Sequence, residues 1–248
     1  MRRFSRTRLL LGDEPFQRLL NSHVAVIGLG AVGGYAAEGL ARAGVGSLTL
    51  VDFDTIQLSN INRQLLALES SIGQSKVSAM HHRVLDINPN CRIYPLELFA
   101  DQNSIEQIIS NRPDVVVDAI DSLNPKFHVL SASYNQGIKT FSSMGAALRT
   151  DPSQIRTDDL EHTKNCPLAR RLRKRLRRHG IISGITCVYS TERVEFDYQP
   201  PTTESTIQGG SLEHGRARAT LGSLPTLTGI FGLTLANVVI LHLCGIVQ

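Results

Sequence analysis

The chain is predicted to be an α/β protein: a Rossmann-like, doubly wound, mostly parallel sheet with helices on both faces and a C-terminal extension. Three observations predict it. Apolar runs at His23–Ile27, Ser47–Val51, Val115–Ala119 and Ile138–Ser142 read as parallel strands, because a strand covered on both faces is continuously apolar rather than alternating. Helical patterns over 31–43, 75–87, 104–110 and 125–136 separate those runs, and that alternation builds a parallel sheet. Between Val24 and Asp54 the chain reads VAVIGLGAVGGYAAEGLARAGVGSLTLVDFD, which spells strand, glycine turn, helix and second strand.

In that unit Gly28, Gly30 and Gly33 form GxGxxG. The first permits a tight turn, the second lets backbone approach a phosphate, and the third lets the helix lie close to the strand. A helix beginning near Ala31 aims free N–H groups and its positive dipole end at the phosphates. Asp52, about 20 residues on, is placed for ribose hydroxyls. Taken alone the unit says only nucleotide, since NAD, FAD and ATP proteins share it. CRIYPL at Cys91–Leu96 is a weaker strand, which Pro95 confines to an edge or an end. The strand ends then bring Gly28–Gly33, Asp52–Asp54 and Asp118–Ser122 to one edge of the sheet, where open α/β sheets bind ligands.

At 248 residues the chain can bury a sizeable core, and without an obvious linker it reads as one domain over 1–248. Its nucleotide-binding core spans about 20–145, and a basic helix and C-terminal segment span about 160–248. Four cysteines, Cys91, Cys166, Cys187 and Cys244, include no CxxC pair, and no signal peptide precedes them; a cytoplasmic protein fits best. Cys187 lies in the apolar ITCVYS pattern and reads as a core thiol. Residues from Leu221 to Gln248 carry no charge apart from His242, which raises the question of a membrane span. Gly222, Pro225, Gly229, Gly232, Asn237 and Gly245 favour instead a buried helix closing the core. QPPTTESTIQGG at 199–210 reads as a turn-rich loop.

Directly after the second strand comes DFDTIQLSNINRQ. Asn60, Arg63 and Gln64 follow the ribose carboxylate within a dozen residues, supplying amide and guanidinium donors suited to a triphosphate, and Asp54 joins them as a further candidate cofactor-binding residue. Lys76, in GQSK at a helix start, adds a point charge. VVVDAID ends a buried strand with Asp118 and Asp121, one of which could hold Mg²⁺ against phosphate oxygens. No GxxxxGK[ST] occurs, so P-loop chemistry has no support.

These strings carry a resemblance. The run from GLGAVGGYAAEGLARAGVG through LVDFDTIQLSNINRQ, GQSK and DAIDS resembles the ThiF/MoeB/HesA superfamily, which adenylates carboxylates with ATP and magnesium. RFSRTRLLLG from Arg3, DAIDSLNPK from Asp118, CPLARRLRKRL from Cys166, CVYSTE from Cys187 and the closing helix after Gly222 are similar to its branch that dehydrates threonylcarbamoyladenosine in tRNA. The resemblance implies that a free carboxylate on tRNA becomes an acyl-adenylate, which a nitrogen of the same modification attacks. AMP leaves and a ring closes with net loss of water.

Carried over by motif, Gly30 and Ala31 offer backbone N–H groups, Asp52 the ribose contact, and Asn60, Arg63 and Lys76 the phosphate contacts. Ala31 stands where many relatives have glycine, but its backbone donor survives. Asp121 is the implied magnesium-associated carboxylate, with Ser122 beside it. Asp121, Arg63 and Lys76 would carry the chemistry, with Arg6 in RFSR reaching across a homodimer into the partner's site. The other reading of Arg6 is a solvated N-terminal charge. Missing CxxC pairs count against a zinc-stapled sulfur-carrier enzyme. The alternative function is nevertheless an enzyme activating the C-terminus of a ubiquitin-like sulfur carrier, with a sulfur-relay protein as a further partner.

Net charge is +4, yet residues 164–178 alone hold eight Lys or Arg and no acid. The rest of the chain is therefore slightly acidic, and the basicity belongs to one segment. Leu168, Leu172 and Leu176 recur at helical spacing through LARRLRKRLRR, a narrow stripe that would dock a helix and leave its charge outward. Arg170, Arg171, Arg173, Lys174, Arg175, Arg177 and Arg178 are the candidate contacts to a tRNA backbone. An anionic membrane surface or a plain solvated face are the rival readings. The segment lies far along the chain from every nucleotide motif.

Overall fold

A computed structural model describes residues 2–194 and 221–246. The 199–210 loop expected above lies outside the described residues. Seven strands form a single sheet in the order β3-β2-β1-β4-β5-β7-β6. They are β1 His23–Ile27, β2 Ser47–Val51, β3 Arg92–Leu96, β4 Val115–Asp118, β5 Lys139–Ser143, β6 Ile155–Asp159 and β7 Ile185–Ser190. All neighbours run parallel except β6, which pairs antiparallel with β7. The helices are α1 Ser5–Leu11, α2 Asp13–Asn21, α3 Gly33–Ala43, α4 Lys76–Ile87, α5 Ile105–Ile109, α6 Leu123–Asn135, α7 Pro167–Arg177 and α8 Pro225–Leu243.

The apolar runs became strands because both sheet faces are covered. On one face Val24, Val26, Leu48, Leu50, Val115 and Val117 join Ala36, Leu40, Met80, Phe231 and Leu235 from α3, α4 and α8. On the other, Ala25, Ile27, Val51 and Val116 meet Ile105, Ile108 and Ile109 of α5 and Val129 of α6. Pro95 is tolerated because β3 is an edge strand, as expected. β5 starts one residue later than the apolar run suggests, since the Ile138 N–H is still bound to the Ser133 carbonyl in the turn closing α6.

α3 starts at Gly33 rather than near Ala31, because residues 31–32 form a turn. α8 is the one helix among the described residues long and apolar enough to cross a membrane. Its Phe231, Leu235 and Val239 are fully buried in the main core. Close approach to α3 depends on small residues: a Cβ on Gly232 would lie 2.4 Å from the Val32 carbonyl oxygen, and one on Gly39 would lie 2.8 Å from the Ala236 methyl. That packing gives the segment a place in the core.

Candidate active site at the carboxyl edge of the sheet

β1 lies between β2 and β4, and the chain crosses from β3 back to β4, so the carboxyl ends of β1 and β4 flank a topological switch point. The glycine turn opens there. Gly28 has φ +89° and a Cβ on it would press to 3.1 Å from the Ala119 carbonyl oxygen; a Cβ on Gly33 would collide with the Gly28 oxygen at 1.7 Å. These two glycines are required by the protein itself. Gly30 differs: its nearest neighbour within the described structure would be the Gln64 amide nitrogen at 4.0 Å. A side chain would fit among the protein atoms, so what a side chain would obstruct is an approaching ligand.

Asp52 leaves the end of β2 and shapes this turn. Its Oδ2 accepts the Leu29 N–H at 2.6 Å and its Oδ1 accepts the Asp54 N–H at 2.9 Å. Burial pushes its carboxyl above the usual range, against the opposing pull of Lys76 and the two N–H groups. Lys76, at the first turn of α4, is also buried; its Nζ lies 2.7 Å from Asp54 Oδ2 and 3.9 Å from Asp52 Oδ1. Ser75 caps that helix through its Oγ, which accepts the Ser78 N–H. Sequence reasoning placed Lys76 toward phosphate; in the structure its charge is first held between two carboxylates.

Asn60 is buried and its Oδ1 accepts the Gln57 N–H, closing a single 3₁₀ turn. Gln64 follows, buried beside Gly30, with its Oε1 lacking a hydrogen-bond partner. Arg63, half-buried, donates from Nη1 to the Ser59 carbonyl and to Asn62 Oδ1. Asp52 and Asp54 at the start of the DFDTIQLSNINRQ segment thus meet Lys76, and Gln64 at its end lies against the glycine turn, while Asn60 is engaged within its own 3₁₀ turn. Arg6 lies on α1 and is exposed.

The two aspartates that end β4 have different roles. Asp118 is fully buried: its Oδ2 accepts Lys126 Nζ at 2.5 Å and Ser142 Oγ at 2.6 Å, and its Oδ1 accepts the Ile120 N–H at 3.1 Å. Lys126, also fully buried, donates further to Ser142 Oγ and the Ser143 carbonyl. Asp118 is therefore engaged in fixing the turn that follows it. Asp121 is exposed at the edge, and Ser122 is buried as the residue preceding α6. Sequence reasoning missed Lys126. The available signal was a lysine beside Phe127, Val129 and Leu130, the one Lys, Arg, Asp or Glu on its helix.

α7 docks through Ala169, Leu172 and Leu176, with Leu168 only half-buried at the margin. The structure divides its seven candidate RNA contacts. Arg173 turns inward and donates to the Leu160 and Thr163 carbonyls and the Thr163 hydroxyl. Arg175 lies 3.8 Å over the Phe127 ring and donates to Asn124 Oδ1 at 2.7 Å, while Arg177 pairs with Glu161. Arg170, Arg171, Lys174 and Arg178 are exposed. Arg173 thus leaves the outward set, and Arg175 ties the basic helix to the first turn of α6, three residues after Asp121. The separation along the sequence disappears in the fold. Cys187 is fully buried and burial raises its thiol well above the ordinary range, so it is an inert core thiol.

A glycine turn at a switch point, with a buried carboxylate at the end of the neighbouring strand, defines a Rossmann-like nucleotide-binding domain. The chain belongs to the ThiF family, whose profile matches residues 4–248. It is 42% identical over 192 residues to the tRNA threonylcarbamoyladenosine dehydratase of Bacillus subtilis, covering 77% of this chain and 76% of that one. The crystal structure of the Escherichia coli tRNA N6-threonylcarbamoyladenosine dehydratase, TcdA, in complex with ATP superposes with a TM-score of 0.84. Identity there is 31%, over 98% of this chain and 94% of that one. Similarity to the Escherichia coli molybdopterin-synthase adenylyltransferase is shorter, 34% over 153 residues, or 61% of this chain and 60% of that one.

Proposed function

We propose that this chain is an ATP-dependent tRNA threonylcarbamoyladenosine dehydratase. One observation carries the reading. A turn whose second glycine is kept clear for a ligand stands beside Asp52, Lys76 and Gln64, in a chain that superposes on an ATP-bound dehydratase over 98% of its length. The shorter match to an adenylyltransferase supports the sulfur-carrier alternative over only part of the chain.

The N–H groups around Gly30 and Ala31 face the phosphates at the start of α3, and Asp52 uses its remaining lone pairs for ribose hydroxyls. Asn60, Arg63 and Lys76 surround the phosphates with donors and positive charge. A substrate carboxylate oxygen then bonds to the α-phosphorus as pyrophosphate leaves. In the second step a nitrogen of the same modification bonds to the acyl carbon, loses its proton, and AMP departs with the oxygen.

Asp121 fits Mg²⁺, which is usually held by one or two carboxylates together with substrate phosphates; Asp118 has both oxygens engaged within the protein. Bound there, the ion would neutralise charge on the phosphates. Arg170, Arg171, Lys174 and Arg178 are the tRNA backbone contacts in this reading.

The reading includes one adenylating domain over 1–248, supported by the single sheet that takes the seven strands of the described residues. It also includes a homodimer, supported by exposed Phe53, Leu58, Ile61, Leu68 and Ile72 around the phosphate segment, with Arg6 reaching the partner's site. A cytoplasmic location fits four free cysteines and a tRNA substrate. The test is ATP–pyrophosphate exchange: it should depend on threonylcarbamoylated tRNA. Exchange driven by a sulfur-carrier C-terminus would favour the alternative.

A further inference from the structure

Arg149 lies in the loop that leaves the carboxyl end of β5. Because β5 is hydrogen-bonded to β4, that loop starts one strand spacing, about 4.8 Å, from the strand that leads to Asp121. The side chain is 2% exposed. Its Nη2 donates to the Asn165 carbonyl at 3.0 Å, while Nε and Nη1 have no hydrogen-bond partner. The Cys166 thiol, which accepts the Ala169 N–H at 3.5 Å, lies beside the guanidinium as a weak acceptor, and Glu192 is its carboxylate neighbour. The Glu192 carboxylate, however, accepts the Thr150 and Asp151 N–H groups and the Thr150 hydroxyl. A buried guanidinium with two unused donor nitrogens is costly unless an acceptor arrives.

The backbone around it is unusual as well. Leu148 has φ +61° and Asn165 has φ +55°, two of the three non-glycine residues with positive φ among the described residues. One precedes Arg149 and the other supplies its carbonyl acceptor. Such conformations cluster where a site needs them. Asn165 also leads directly into α7, an 11-residue helix whose N-cap is Cys166. The guanidinium therefore meets the positive end of a helix dipole. Two positive features converge there, and their complement is an oxyanion.

We propose that Arg149 and the N-terminus of α7 form the subsite that receives the carboxylate to be activated. The proposal rests on the dehydratase reading. α7 then serves twice: its outward arginines hold the RNA backbone, and its N-terminal end, with Arg149, receives the anionic end of the modification beside the nucleotide edge.

The test compares binding of free N6-threonylcarbamoyladenosine with that of its carboxamide analogue, by calorimetry on the full chain. Wild type should prefer the carboxylate by about 10- to 100-fold, the value of a charge-assisted hydrogen bond. Arg149→Gln should erase that preference while leaving the ATP-induced thermal shift unchanged, and Arg149→Lys should restore part of it. No preference in wild type, or full preference in Arg149→Gln, overturns the subsite. Arg149-dependent binding of inorganic phosphate without carboxylate preference also overturns it and assigns the arginine to an RNA phosphate. If Arg149→Gln does not fold, the wild-type and Arg149→Lys comparisons decide. Unchanged modified tRNA after incubation of wild type with ATP and magnesium would instead refute the dehydratase reading, a separate result.

Discussion

Replacing Lys126 with methionine should be among the most damaging single changes in this chain. Both side chains of the Lys126–Asp118 pair are fully buried. The ammonium places its donors on Asp118 Oδ2, Ser142 Oγ and the Ser143 carbonyl, and the Ser142 hydroxyl donates its own proton to Asp118. Lys126→Met leaves Asp118 as an uncompensated buried charge with only the Ser142 hydroxyl and the Ile120 N–H. Breaking a buried pair in this way costs about 3–5 kcal/mol. Removing both charges in Lys126→Met/Asp118→Leu should cost much less than the two single losses combined, with a coupling of at least about 2 kcal/mol. Urea denaturation followed by far-UV circular dichroism measures this, provided the slope is unchanged. A single-variant loss under about 1 kcal/mol, or strict additivity, would refute this view of the network.

Asp121→Asn should leave the chain folded and lower turnover on the order of 10²-fold or more, since it removes the charge expected to meet the metal; near-normal turnover by the folded variant would contradict that role. Glutamine at Arg170, Arg171, Lys174 and Arg178 should flatten the salt dependence of tRNA binding by roughly 0.7–0.9 for each phosphate left without its cation. Arg173→Gln should lower stability with little change in that slope, and the reverse pattern would contradict the division of α7. Burial raises the Asp52 pKa, so acidification protonates it above the ordinary value of about 3.9. That protonation favours the empty fold, a contribution lost as pH rises through the raised pKa, yet it removes the ribose acceptor. ATP-induced thermal stabilisation should therefore weaken on acidification before ordinary carboxylates titrate, and Asp52→Asn should bind ATP weakly and lose this pH dependence.

β1, β2, β4 and α3 were legible in the sequence because continuous apolar runs and GxGxxG each have one good structural solution. The functional edge followed from them, since parallel strands must end together. Less was legible further along. β6, with the sequence IRTDD, is a mostly exposed antiparallel edge strand and carries no apolar signal. α1, which buries no side chain fully, gives little signal either, and the apolar spacing of Phe16, Leu19 and Leu20 belongs to α2, only nine residues long. The basic helix was legible, but a sequence cannot tell an outward arginine from one such as Arg173, whose acceptors come from the turn before α7. A lysine in an apolar stretch hints at burial, but the partners of Lys126 could not be read for the same reason: Asp118 and Ser142 belong to neighbouring strands.

The most direct test of the central claim is nucleoside mass spectrometry of threonylcarbamoylated tRNA incubated with the protein, ATP and magnesium. Threonylcarbamoyladenosine should be converted to a product lighter by one water, with AMP and pyrophosphate released in step. An unchanged nucleoside in the presence of a folded, ATP-binding protein would contradict the dehydratase reading.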